Sequence, residues 1–440
     1  MKLAIVNGLV CDPVTETLTP GGVWIADGRI VAVGAPPADF TPERELDAGG
    51  GVISPGFIDL SVCLREPGFE PKGTIASETR AAVAGGVTTV CALPETQPVA
   101  DTPAVIELIR ERAEQAACAR VLPVGALTRG LAGESLSEMY ALREAGCRIV
   151  SNATRPLADA LVWRRALEYA ATYGLTVFIR PQDPWLAAGG CAHEGEVATR
   201  LGLPGIPPSA ETVAVAQMLA LVEESGARVH FSCLSTARAA AMVAAAAGNG
   251  LPVSADVAAH QLHLTEQALE GFDASAHLMP PLRSRADRDG LRRAVADGAV
   301  IAVCSDHRPH EADAKLDVFA ATEPGAAGVE TLLSLMLALV DEGVLTLPRA
   351  LARLTAGPAR VLGLEGGRLT PGAPADVTVI DTEAHWTVTA GNWHSRGRNT
   401  PFWGRILKGK VRYTLVVGRL VHSLDQSSSS TSRIRSSPGA

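Results

Sequence analysis

Ser54 to Asp101 reads SPGFIDLSVCLREPGFEPKGTIASETRAAVAGGVTTVCALPETQPVAD. Two apolar runs in it, Phe57 to Val62 and Val87 to Leu93, have the length and β-branched content of buried strands. Gly85-Gly86, just before the second run, reads as a helix-ending turn. It precedes a strand and lacks the GxGxxG or Walker spacing of a phosphate loop. Working outward, further strand ends fall near Val121 to Leu127, Arg148 to Asn152, Leu175 to Arg180, Arg228 to Leu234, Pro252 to Val257 and Val300 to Ser305. Helical patterns lie between them at Thr102 to Gln115, Leu157 to Tyr173, Ser209 to Glu224, Thr236 to Ala247 and Ser284 to Ala296. Eight strand-then-helix units point to an α/β fold of the (β/α)8 TIM type, whose chemistry sits at the carboxyl ends of the strands.

The flanks read differently. Residues 1–53 and 365–423 hold alternating strands with turn signals at Asp27-Gly28, Pro371-Gly372 and Lys408-Gly409-Lys410. They are expected to form one composite small β-sandwich domain beside a barrel at 54–364. The tail 424–440 is rich in Ser and has too little apolar matter to order itself, so it is expected to be disordered.

Composition excludes several classes of function. A chain of 440 residues with 47% apolar and 20% charged residues can bury a large core, as a soluble α/β protein does. No apolar run reaches membrane-spanning length and MKLAIVNGLVCD lacks a signal-peptide core, so a cytoplasmic location without membrane contact is expected. A net charge of −8 with no basic stripe argues against nucleic acid. The eight cysteines show no CxxC spacing and read as reduced, mostly buried thiols.

The opening stretch closely resembles the dihydroorotase signature of the amidohydrolase superfamily, in which a PGFID strand runs into HxHLREPG, then an AGGxTTV strand and a PNTxP turn. Pro280-Pro281-Leu282-Arg283, Ser305-Asp306-His307-Arg308-Pro309-His310 and Gly328-Val329-Glu330-Thr331 resemble the NPPLR, TDHAPH and GxET segments, in the right order. The resemblance implies a metal centre at the strand ends, and the chain departs from it there. Ser61 and Cys63 stand where the family has two histidines, Asn152 and Ala153 where it has a bridging carboxylate turn, Arg180 where it has a histidine, and Cys233 at another histidine. Only Asp306, a metal ligand and proton acceptor in the family, is retained. A guanidinium has no lone pair to give a metal, and alternate strand residues such as 61 and 63 share a face where imidazoles are needed. Of the substrate positions that the resemblance implies, Arg65, which pairs with the substrate carboxylate, remains. Glu95 replaces an asparagine and faces that carboxylate with its own charge, Met279 replaces another asparagine, His260 matches part of the PHH segment beside Gln261, and His310 closes the eighth-strand motif.

The resemblance therefore implies a pseudoenzyme, most similar to the inactive dihydroorotase-like subunits that associate with the catalytic subunit of aspartate carbamoyltransferase in de novo pyrimidine biosynthesis. The expectations are no catalytic residue at work, no cofactor and no catalytic zinc, and a homo-oligomer within a larger complex. Asp306 is expected to be held by an ion pair with Arg180 in the old metal position. Two further readings stay open. One is an amidohydrolase, a dihydroorotase-like cyclic amidase, with an atypical or mononuclear metal site. The other is a substitute thiolate site of Cys63 and Cys233 with Asp306 and either His230 or His260.

Overall fold

The computed structural model describes residues 1–424, so all but the first residue of the Ser-rich tail lies outside the described residues. Eight parallel strands close on one another in sequence order: Phe57–Val62, Val87–Ala92, Arg120–Pro123 continued by Gly125–Ala126, Ile149–Ser151, Thr176–Ile179, Arg228–Phe231, Val253–Ala258 and Ala302–Cys304. They are called the first to eighth barrel strands. The third is broken at Val124, so its two halves pair with different neighbours. The ring closes where Cys63 N–H donates to His307 O at 2.8 Å and His307 N–H to Ser61 O at 3.0 Å.

The barrel interior is filled by Ile58, Leu60, Cys91, Val124, Ile149, Phe178, Cys233, Ala258, Ala302 and Cys304, with Ala359 and Leu362 of the helix Ala356–Leu362 in the same cluster. It is a packed core and not a pore, as such barrels require. Outer helices follow most strands at the places the pattern gave, including Pro103–Ala116, Ala160–Thr172, Ser209–Ser225, Ala237–Gly248 and Arg285–Asp297. Local chemistry fixes their ends. The Ser284 hydroxyl accepts from Asp287 N–H and Gly298 closes that helix at φ +81. No helix among the described residues is long and apolar enough to cross a membrane.

The two flanks meet in one sheet. Val52–Pro55 pairs in parallel with Lys2–Asp12 on one side and antiparallel with Val377–Thr387 on the other. The sheet continues through Ile406–Val416 to Arg419–Ser423, and at the other end through Thr17–Ala26 to Arg29–Gly34. Asp27 and Gly28, both at positive φ, make the tight hairpin turn that the sequence signalled.

Lys408-Gly409-Lys410 is not a turn. It lies inside the strand Ile406–Val416, at a register shift against Val377–Thr387. Gly409, at φ +92, bulges there because the helix Leu332–Asp341 packs against it, and a Cβ would collide with Leu337 Cδ1. Gly409→Ala should therefore destabilise the protein by about 1–3 kcal/mol, read from a urea melt. An unchanged midpoint would show that the bulge carries no strain.

Candidate functional site

The positions that should grip a metal do converge at the barrel mouth, where the structure fills them with two ion pairs. Arg180, at the end of the fifth strand, places Nη2 2.5 Å from Asp306 Oδ1, with both side chains nearly buried at 6% and 5% exposure. Its Nη1 donates to the carbonyl of Met279, and Nη2 also lies 3.2 Å from Cys233 Sγ. Ser61 Oγ donates to Asp306 Oδ1 at 3.0 Å.

The second pair was not foreseen. Arg308 reaches Glu95 Oε2 through Nη1 at 2.8 Å and Asp306 Oδ1 through Nε at 3.3 Å. Glu95 also accepts hydrogen bonds from Thr154 Oγ1 and, at 3.6 Å, from Cys63 Sγ. The expectation that Glu95 presents an opposing carboxylate to a ligand is corrected, because Arg308 already balances it.

Burial alone would raise the pKa of both carboxylates, and the guanidiniums overcome it. Arg180 and Arg308 hold Asp306 well below the usual carboxylate range, while Arg308 with the Thr154 hydroxyl draws Glu95 down to about 2. Arg180, Arg308, Asp306 and Glu95 form a neutral four-charge cluster, and a neutral cluster is what a buried strand-end layer tolerates.

The remaining sites are committed to local structure. Asn152 takes the Thr128 hydroxyl at 2.7 Å and donates to Arg155 O at 2.8 Å, while Ala153 turns at φ +51. Arg65, at φ +68, donates to Pro309 O at 3.0 Å and lies 3.2 Å from His310 Nε2. Cys233 and Asp306 also sit at positive φ, +54 and +46, so the four chain turns at the mouth share a left-handed backbone. Gly328 N–H donates to His307 Nδ1, which leaves the Nε2 proton for buried Glu78 at 2.8 Å.

Ligand positions filled by a guanidinium, a hydroxyl and an alanine do not fit a metal at the mouth. The broader expectation, that the chain has no metal or cofactor at all, is overturned by a different donor set. Cys233 Sγ, Asp256 and Cys304 Sγ offer ligand atoms within 4.8 Å of one another, all buried. The two sulfurs are 3.6 Å apart and Cys304 Sγ lies 3.5 Å from Asp256 Oδ1. The alternative left open, a thiolate site shared by Cys63 and Cys233, does not form, since Cys63 turns to Glu95 at 3.6 Å. Sequence reading passed over Asp256 and Cys304 because both stand inside apolar strands with no motif spacing. Two donors on adjacent seventh and eighth strands were the available signal.

Buried histidines give the fold a pH dependence. Burial lowers His260, His263 and His277 to about 4, and His310 to about 2, where Arg65 and Lys72 add to the burial. An unfolded histidine titrates near 6.5, so the unfolded chain binds these protons first and stability falls as pH drops from about 6.5 toward 4. Asp306 and Glu95, depressed below unfolded values near 4, act in the same direction at lower pH. The urea midpoint should therefore fall already between about pH 7 and 5, and again below about 4. A profile flat from about pH 7 to 4 would contradict the neutral buried histidines.

Comparison with known proteins agrees with this architecture. Residues 50–239 match the family described as dihydro-orotase-like and residues 187–421 the amidohydrolase family. A dihydroorotase-like protein of Pseudomonas aeruginosa is 53% identical over 96% of this chain and 100% of its own length. A protein named dihydroorotase from Anaeromyxobacter dehalogenans is 46% identical over 96% of this chain and 98% of its own. The L-hydantoinase of Arthrobacter aurescens shares the fold at a TM-score of 0.86 with 22% identity, covering 96% of each chain.

Proposed function

Because the chain belongs to the dihydroorotase-like family of amidohydrolases, we propose that it is a non-catalytic member whose role is to support assembly or activity of aspartate carbamoyltransferase in de novo pyrimidine biosynthesis. The observation that carries this reading is the Arg180 guanidinium 2.5 Å from the Asp306 carboxylate. In a hydrolytic site of this kind that oxygen would hold a metal and take a proton from its water. Here it is spent on a buried ion pair. The pathway reading places the protein in the cytoplasm.

An interaction role also suits the rim. Trp185, Leu316 and Val318 stand 77%, 78% and 73% exposed on the loops after the fifth and eighth strands. Large apolar side chains left in water on such loops are a common feature of protein docking surfaces. The test is co-expression with the catalytic chain of aspartate carbamoyltransferase from the same organism, followed by size-exclusion chromatography. Coelution as one large complex, weakened by Trp185→Ala, is the expected result. A carbamoyltransferase that elutes alone and is fully active without this chain would remove the proposal.

A second reading, a cyclic amidase with an atypical mononuclear site, draws on the Cys233, Asp256 and Cys304 donors. Full burial of all three leaves that set no approach for a substrate, which favours the first reading.

A further inference from the structure

We propose that Cys233, Cys304 and Asp256 bind one structural zinc-like cation inside the barrel, below the neutral cluster at the mouth. The site shares Cys233 with the mouth positions but not its other ligands, since Cys304 precedes Asp306 by two residues and Asp256 belongs to the seventh strand. Two thiolates and a carboxylate suit a borderline-soft divalent ion. Binding replaces the two S–H bonds by metal–sulfur bonds and releases two protons.

The surroundings are built for such a site. Asp256 Oδ2 takes His230 Nε2 at 3.0 Å, and His230 Nδ1 is fixed by Ser254 Oγ at 2.8 Å, so the carboxylate is oriented from behind. Cys233 N–H donates to Asp256 Oδ1 at 2.6 Å, which ties the carboxylate to the thiol's own turn. Asp59 supplies an independent observation. It is fully buried, its Oδ1 accepts from Ser61 N–H and Ser305 N–H, and its Oδ2 has no hydrogen-bond partner. A partnerless buried carboxylate oxygen is costly, and a cation held by the neighbouring Cys304 offsets that cost through its field, without Asp59 joining the three ligands. The Arg180 guanidinium at 3.2 Å from Cys233 Sγ offsets part of the charge that the thiolates bring. With every ligand at 0% exposure no position opens to substrate, so the ion would brace the sixth, seventh and eighth strands and not catalyse.

The test uses the full chain, purified under reducing conditions, loaded with zinc chloride or cobalt chloride and desalted. Elemental analysis should find about one ion per chain. Cys304→Ser and Asp256→Asn should each weaken zinc affinity, read by competition with a chelator, by at least the ~10-fold that even outer partners of a metal are worth. Cys118→Ser, outside the group, should leave it unchanged. The cobalt-loaded native protein should show thiolate-to-cobalt charge-transfer absorption, which decides the matter even where a variant fails to fold. Absence of that absorption, metal retained in Cys304→Ser, or a Cys233–Cys304 disulfide in the reduced preparation would each overturn the proposal. None of these outcomes bears on association with a carbamoyltransferase, which is read separately by coelution.

Discussion

An Arg180→Ala protein should unfold about 3 kcal/mol more easily than the native chain, whereas Arg180→Ala combined with Asp306→Ala should lose clearly less than the sum of the two single changes. Removing the guanidinium strands a carboxylate at 5% exposure with one hydroxyl and the more distant Arg308 Nε at 3.3 Å. Arg308 is already engaged by Glu95 at 2.8 Å, so it cannot serve both acids equally. Removing Asp306 as well restores neutrality, because Arg308 and Glu95 balance each other. The urea denaturation cycle of the four proteins measures the coupling. A double variant as damaged as the sum of the singles would mean that the pair is incidental to stability.

Neither the native chain nor a Ser61→His/Cys63→His variant should interconvert carbamoyl aspartate and dihydroorotate above background, even with zinc in the assay. The two restored imidazoles would face an Asp306 oxygen still held by Arg180, beside an Asn152-Ala153 turn with no carboxylate and a thiol at Cys233. A hydrolytic ion must be gripped and still keep an open position whose water is acidified, to a pKa of about 7 in the best cases. Two ligands on one strand give neither. Metal-dependent turnover by the native chain would refute the non-catalytic reading directly.

Strand ends were legible because a buried parallel strand writes itself as a short apolar run, as in Val229–Phe231 or Ala302–Cys304, ended by polar residues that the mouth requires. The composite sheet was legible from alternation in both flanks. Its bulge was not, since Lys408-Gly409-Lys410 has turn composition and only the helix packed behind it explains the glycine. At the mouth, Arg180 with Asp306 followed from charge logic: a lone buried carboxylate needs a cation. Arg308 with Glu95 did not, because Glu95 read as a substrate position and Arg308 only as part of its motif until the strand ends brought them within 2.8 Å. Asp256 and Cys304 were hidden for the opposite reason. Inside an apolar strand, an acid or a thiol is read as part of the run unless the neighbouring strand's register is known.

The four-charge cluster has a consequence at long range. Arg180, Arg308, Asp306 and Glu95 sum to zero within a few ångströms, so their joint field has no monopole and dies away faster with distance than that of a single ion. A barrel mouth carrying an uncompensated cation draws anions from beyond the first water layers and speeds their capture, an advantage that salt then erodes. From these four residues an approaching anion feels almost nothing until contact. Whatever steering an anion meets at this mouth must then come from groups outside the cluster, such as Arg65, whose partners are the Pro309 carbonyl and His310 and not a carboxylate.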